Sequence, residues 1–281
     1  MIGADATLLR PGMRRLLILA GVLVSLAGIQ LFVFPERTAE YFAWTIDPPL
    51  TAVFLGASYF ASAVFEFSAA REKLWANARI SVPTVFVFTL TTLIVTLIHL
   101  DRFHFGAEFA LTTRAVTWLW LAIYAVVPVA MAVLWWSQSR SPGVEPPRQV
   151  PLPAWLKVLT GVQGVALLGG GAALLIVPAT IAEVWPWTLT PLTGRAIGAW
   201  LLSLGVAAAH SLLEGDLRRL APAAWAYLGF AVLQTWALAR YPGDMAWGEP
   251  MAYAYLVFLA STLVVGAAAL ILIRRGRRPS A

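Results

Sequence analysis

The chain of 281 residues is 60% hydrophobic and only 12% charged, and its mean hydropathy is +0.77. This composition lies outside the range of soluble globular proteins and is typical of chains that fold in lipid. The net charge of +6 does not indicate a nucleic-acid-binding protein, because the cations form short clusters between apolar runs instead of one soluble basic face. The absence of cysteine excludes disulfides, thiolate metal sites and cysteine nucleophiles.

The apolar runs predict the fold class. A bilayer core of about 30 Å needs about 20 apolar residues in helical conformation. Eight runs are long enough, at residues 16–34, 50–68, 82–100, 115–136, 156–177, 195–212, 220–238 and 253–273. The first run is too long for the apolar part of a signal peptide and no cleavage motif follows it, so we expect it to be retained. The sequence therefore predicts an all-α, polytopic integral membrane protein with eight transmembrane helices.

The Lys and Arg residues between the runs predict the orientation, because cations that flank a span resist translocation. With eight spans, 15 of the 20 cations fall on the side of the N-terminus. The five on the opposite side are Arg37, Arg102, Arg114, Arg195 and Arg240. We therefore expect a multi-pass protein of the plasma membrane with both termini in the cytoplasm. The preference for Arg over Lys and the single Asn favour a bacterial gene.

Tryptophans near the ends of the runs predict the aromatic belts that anchor a protein at the two bilayer surfaces. We assign to the inner belt Trp75, Trp135, Trp136 and Trp155, and to the outer belt Trp44, Trp185, Trp187 and Trp247. Four tryptophans lie deeper, and we expect them to pack in the interior or to line a cavity: Trp118, Trp120, Trp200 and Trp225.

The two halves of the chain match each other at a shift of 143 positions, and at 142 after a one-residue shift near Pro49. The register begins at Arg14 and Lys157, and Pro11 lies outside it. Apolar helices do not match by chance at Pro, Gly, Glu and Trp, as in the pairs Gly21/Gly164, Gly28/Gly171, Pro35/Pro178, Glu40/Glu183 and Trp44/Trp187. Four spans per copy give parallel repeats. We predict repeats at residues 1–136 and 154–281, joined by a cytoplasmic Pro- and Ser-rich linker at 137–153.

Two features shared by the repeats have structural explanations. The glycine pairs lie on one helical face, where small residues let helices pack closely in lipid. The loop after the first span of each repeat carries Glu40 or Glu183 among apolar and aromatic residues, so we expect a partial helix in the outer interface. These two carboxylates either face a substrate or satisfy the amide groups at a helix end.

The densest polar cluster follows the third span and contains His99, Asp101 and His104. Histidine and carboxylate together can perform acid/base catalysis or bind a divalent metal. On a continuing helix, however, Asp101 and His104 would lie about 60° apart and His99 roughly opposite, so the spacing predicts no metal site and we expect no cofactor. If Arg102 corresponds to Arg240, the cluster occurs in one repeat only, which is where a duplicated scaffold can specialise.

The interior of the predicted spans is poor in charge. Hydroxyl, amide and aromatic side chains are common there, whereas Glu66 lies nearer a helix end. This pattern disfavours an ion-coupled transporter, which usually needs a central ionisable residue. Tyr59 and Trp200 are therefore candidates for contacts with an uncharged ligand.

Three functions are compatible with these features. The first is a protein that binds or moves an apolar or amphipathic small molecule, or a lipid, in a cavity between the repeats. The second is a membrane enzyme that acts on a lipid-like substrate at the outer face through the His99 cluster. The third is an accessory subunit of a membrane complex. The substrate contacts predicted for either of the first two are Glu40, Glu183, Arg102, Arg240, Tyr59 and Trp200. No standard enzyme motif appears in the sequence.

Overall fold

A computed structural model of the protein describes residues 6–276. Within this range the chain is all-α, and its only β-type pairings are three isolated bridges. The long helices are α1 (Pro11–Gly28), α2 (Pro49–Arg71), α3 (Ser81–Ile98), α4 (Leu111–Ser139), α5 (Ala154–Ile176), α6 (Pro191–Glu214), α7 (Ala221–Arg240) and α8 (Pro250–Gly276). The end of α1 widens into a π-helical turn at Ile29–Val33. The prediction of an all-α, helical membrane architecture is confirmed.

Seven of the long helices are long and apolar enough to cross a membrane, and α7 is not among them. The seventh predicted run, residues 220–238, is nevertheless helical over Ala221–Arg240. Its Ala-rich sequence, with Gln234 and Tyr227 on the buried side, explains its lower hydropathy. Helix α7 is nevertheless exposed on one side, where Trp225, Val232 and Trp236 provide an apolar surface.

Proline and local capping define several helix starts. Helices α1, α2, α6 and α8 begin at a proline, whose fixed φ suits the first turn and whose missing N–H would have no helical partner there. The hydroxyl of Thr190 accepts from the amide of Thr193, and the amide of Thr190 donates to the Thr193 hydroxyl. Helix α6 ends at Gly215, whose φ of 60° is the left-handed conformation that glycine adopts without strain.

Helices α2 and α6 form the centre of the bundle, with 78% and 61% of their most apolar windows buried. Helix α1 packs on α2, and α5 packs on α6. Helix α3 packs on α6 of the other half, and α7 packs on α2. On the outside, α4 packs on α3 and α8 on α7. The glycine prediction is confirmed, since a Cβ on Gly171 would lie 2.5 Å from the Leu202 backbone nitrogen and one on Gly28 2.8 Å from the Phe60 ring.

The two ends of the bundle differ in their chemistry. We call the end where α1 begins the basic end, and the opposite end the aromatic end. At the aromatic end, short helices at Thr38–Tyr41 and Pro178–Ala182 confirm the predicted partial helices. The prediction that Trp44 and Trp187 anchor the outer belt is wrong, because they are only 3% and 2% exposed under the loops that fold back over the bundle.

Two deeper tryptophans were also wrongly predicted. Trp118 and Trp225 are 57% and 42% exposed, whereas Trp120 and Trp200 are buried as expected. Helical runs that are apolar on every side do not reveal which face turns towards lipid.

Candidate functional site

A cavity of about 50 Å³ lies in the interior among α2, α3, α6, α7 and α8. Its wall is mainly aromatic and apolar, and its large side chains are Phe65, Phe88, Trp200, Phe230 and Phe258. Among residues 6–276, no Asp, Glu, Lys or Arg lines it. A cavity of this kind suits an uncharged ligand or a few water molecules.

The hydroxyl groups in the wall differ in how they are satisfied. Ser58 donates to the Phe54 carbonyl at 2.9 Å, and Ser203 donates to that of Trp200 at 2.8 Å. The Tyr227 hydroxyl is buried and has no hydrogen-bond partner within residues 6–276. Because leaving such a group unpaired costs about 1–3 kcal/mol, this hydroxyl calls for a ligand or an ordered water.

Tyr227 also separates the central cavity from a second one. The second cavity, of about 40 Å³, lies among α5, α6, α7 and α8. Tyr227, Ala207 and Ala223 belong to both walls. These three residues therefore form the wall between the two spaces.

Glu66 is more deeply buried than its position in the sequence indicated. It is 1% exposed and lies five residues before the end of α2 at Arg71, so it is near a helix end as expected but faces the interior. The Ser62 hydroxyl, which lines the central cavity, donates to one carboxyl oxygen at 3.3 Å. The other oxygen has no partner in the described part of the chain. Glu66 thus adjoins the cavity through Ser62.

Tyr59 and Trp200 lie together, as a shared ligand site requires. Their rings meet edge to face with centroids 5.0 Å apart. Trp200 lines the central cavity, whereas Tyr59 lies towards the aromatic end and exchanges a 2.8 Å hydrogen bond with the Tyr124 hydroxyl. Tyr59 therefore positions Trp200 and does not itself line the central cavity.

The His99 cluster is divided between separate partners. Helix α3 ends at Ile98, so the continuing helix assumed for Asp101 and His104 does not form. His104 is 3% exposed, with Nδ1 3.0 Å from the Phe42 carbonyl oxygen and Nε2 3.0 Å from the Thr45 hydroxyl. Both ring nitrogens are thus engaged in tying the loop after α3 to the loop after α1.

His99 and Asp101 face other surroundings. The His99 Nε2 atom lies 2.8 Å from Nη1 of Arg195, which can only donate, so this ring nitrogen accepts. Burial and the Arg195 charge lower the pKa of His99, and burial lowers that of His104. Asp101 and Arg102 form a 3.1 Å ion pair in which both side chains are 71% exposed. Across residues 6–276, no group of three His, Asp or Glu side chains could hold a metal ion.

The remaining predicted contacts lie on the surface of the aromatic end. Glu40 accepts two hydrogen bonds from the Arg37 guanidinium, at 3.1 and 2.5 Å, and Glu183 is exposed. Arg240 donates to the Phe32 carbonyl at 2.7 Å, within the π-helical turn of α1. These side chains do not converge on one pocket with Tyr59 and Trp200.

The sequence analysis missed two groups of ion pairs at the basic end. Glu214, at the end of α6, accepts from Arg79 at 2.7 Å and from Arg219 at 3.0 Å. Glu72, after α2, accepts two 2.9 Å hydrogen bonds from Arg218. The sequence contained a signal for these two glutamates, because they are 142 positions apart, which is the offset at which the two halves of the sequence match.

The fold and its apolar helices define a polytopic α-helical membrane protein with a small central cavity. Comparisons with models of protein families, with curated proteins and with solved structures give no match.

Proposed function

We propose that the protein has eight transmembrane helices in two parallel repeats and binds an apolar or amphipathic small molecule, or a lipid chain, between them. The pairing of helices supports the repeats, because the extensive contacts of α1–α4 have counterparts in α5–α8. In a pair of like units related by symmetry, a contact made by one unit is repeated by the other with the roles exchanged. The contact of α3 with α6 and the contact of α7 with α2 have this form.

Backbone contacts support the same correspondence. The Leu9 amide donates to the Lys73 carbonyl, and the Leu152 amide donates to that of Gly215, both at 2.9 Å. Leu9 and Leu152 are 143 positions apart, and Lys73 and Gly215 are 142 apart. The backbone correspondence therefore begins before Arg14, where the match between side chains begins.

The observation that carries the ligand proposal is the unpaired hydroxyl of Tyr227 in the wall shared by the two cavities. The surrounding aromatic side chains favour the apolar part of a ligand, and the hydroxyls of Tyr227 and Ser62 favour a polar group. An apolar cavity of about 150 Å³ holds benzene. Both cavities here are smaller, and even joined at Tyr227 they total about 90 Å³, so a ligand of more than a few atoms also requires the surrounding helices to move apart.

Filling the shared wall tests this proposal. Ala223→Leu adds three carbon atoms between the cavities, and Ala239→Leu adds the same atoms on an exposed part of α7. We expect mass spectrometry after mild extraction to detect a small molecule or lipid bound to the native protein and to the Ala239→Leu variant. The Ala223→Leu variant should lose it. An empty native protein, or equal retention by both variants, would contradict the proposal.

The enzymatic function has less support, because His104 is committed to two loop contacts and Asp101 lies on the exposed surface. The role of an accessory subunit remains compatible with a ligand site and gains no specific observation of its own.

A further inference from the structure

An open groove lies at the basic end of the bundle, beside the start of α1. Its volume is about 950 Å³, and it lies between the N-terminal segment, the first turn of α1 and the start of the linker. The charged side chains that line it are Arg10, Arg14 and Lys73, and no Asp or Glu of residues 6–276 is among the lining residues. The groove thus concentrates positive charge.

Arg14 is only partly satisfied by protein contacts. Its Nη2 atom donates to the Glu72 carbonyl at 3.0 Å. Its Nε atom is buried and has no partner among the described residues. A buried guanidinium donor without an acceptor is costly, and an anionic oxygen is the acceptor that it binds best.

The start of α1 adds to the positive potential. The first turn of any helix leaves amide groups unpaired and carries the positive end of the helix dipole. Here the side chain of the N-cap residue Arg10 makes no capping bond and no acidic residue lies in the first turn, although Gln138 Oε1 accepts from the Arg10 amide at 2.8 Å. Arg10 and Arg14 are therefore placed against the dipole, an unfavourable arrangement that an anion in the groove would relieve.

The second repeat has an anion of its own at the equivalent position. Asp216, which pairs with Pro151, accepts from the backbone amides of Gln149 at 2.8 Å and Val150 at 3.0 Å. In the first repeat the corresponding position is Leu74, which pairs with Leu8. The first repeat therefore has the cationic surroundings without the carboxylate.

The surface around the groove has the features of a membrane interface. The Arg140 guanidinium lies 3.8 Å from the ring centroid of Trp136, whose side chain is 59% exposed at the end of α4. Tryptophan in this position is typical of the headgroup level. Leu8 and Val144 line the groove and are 57% and 66% exposed, so they provide an apolar surface beside the cations.

From the cations, the helix start without an acidic residue and the apolar rim, we propose that this groove binds the phosphate-bearing headgroup of an anionic phospholipid. The phosphate oxygens accept from Arg14, Arg10 and Lys73, and the glycerol and upper acyl chain contact Leu8 and Val144. Basic pockets at helix ends are suited to such headgroups, with each cation contributing to affinity.

The test uses the full-length protein in detergent and measures binding of short-chain phosphatidylglycerol by native mass spectrometry. Phosphatidylcholine with the same chains and inorganic phosphate are the comparison ligands. The variant Arg14→Gln/Lys73→Gln removes two charges from the groove. The control Lys157→Gln/Arg275→Gln removes two exposed charges at the same end, and Lys157 is the counterpart of Arg14 in the second repeat.

We expect the groove variant to bind phosphatidylglycerol about tenfold or more weakly, and the control variant to bind it as the native protein does. Leu74→Asp, which gives the first repeat the carboxylate of the second, should weaken binding without removing a cation. Thermal unfolding without lipid verifies that the variants are folded.

Three results would overturn the proposal. Equal binding of phosphatidylcholine would remove the role of charge, and equal loss in the control variant would remove the role of the groove. Inorganic phosphate binding as tightly as the lipid would identify a soluble phosphate compound as the ligand. None of these results bears on the central cavity, so this proposal and the proposed function fail separately.

Discussion

The two halves of the bundle share a packing plan but differ in their polar groups. Each half packs its first helix on its second and sends its third helix across to the other half. At the start of the first helix, however, one half has an open basic groove and the other has Asp216. Tyr227 with its unpaired hydroxyl belongs to the second half, and the buried Glu66 belongs to the first. Shared residues therefore explain the scaffold, and unshared residues mark the candidate sites.

The largest expected effect concerns the two glutamates related by the repeat. Glu214 is 3% exposed and pairs with the guanidinium of Arg219, which is 4% exposed and also contacts Glu145 and, at 3.7 Å, Asp216. Glu214→Ala should therefore cost no more than breaking a whole buried ion pair. Breaking a buried ion pair costs about 3–5 kcal/mol. Glu72→Ala removes a more exposed pair with Arg218 and should cost less. Thermal unfolding in detergent measures both, and a larger loss for Glu72→Ala would contradict the inferred burial.

The next effect concerns the paired glycines. Gly171→Ala places a methyl group against the Leu202 backbone, which cannot turn away, so we expect a loss of about 1–3 kcal/mol from overpacking. Gly28→Ala meets the ring of Phe60, whose side chain is half-buried and can rotate, so a smaller loss is expected. The same unfolding measurement compares them, and equal losses would show that the halves do not differ in this contact.

A smaller effect concerns His104, which has no histidine counterpart, because the alignment of Arg102 with Arg240 places Pro242 opposite it. Burial lowers the pKa of His104 below its ordinary value of 6.5. As the pH falls below about 6.5, the unfolded chain therefore binds a proton that the native protein does not. The stability that His104 contributes is complete above this pH and is lost as the pH falls, by at most about 1.4 kcal/mol per pH unit. His104→Gln should reduce this slope between pH 6.5 and 5, and an unchanged slope would contradict the assignment.

The smallest effect is expected at the exposed pair of Asp101 and Arg102. Exposed ion pairs contribute less than about 1 kcal/mol, so Asp101→Asn should leave the unfolding temperature nearly unchanged. If Asp101→Asn removed a biological activity while the protein stayed folded and kept its ligand, the enzymatic function would regain support.

Much of the helical architecture was predictable, because long apolar runs and prolines act locally. The burial of Trp44 and Trp187 was not, since hydropathy places a tryptophan near a helix end without showing that a loop covers it. The burial of Glu66 was missed for a related reason, because the buried face of a uniformly apolar helix depends on its neighbours. The central cavity needs five helices at once, and only Trp200 was identified from sequence.

The central claim is that two parallel four-helix repeats cross the membrane eight times, and cysteine labelling tests it most directly. The chain has no native cysteine, so single variants can be labelled in cells with a membrane-impermeant maleimide. Suitable exposed positions are Ala107, Gln149, Gly248 and Arg275. The account predicts that Ala107→Cys and Gly248→Cys are labelled from outside, and that Gln149→Cys and Arg275→Cys react only after the membrane is opened. If Gly248→Cys and Arg275→Cys were labelled from the same side, α8 would not cross the membrane. That result would contradict the parallel repeat.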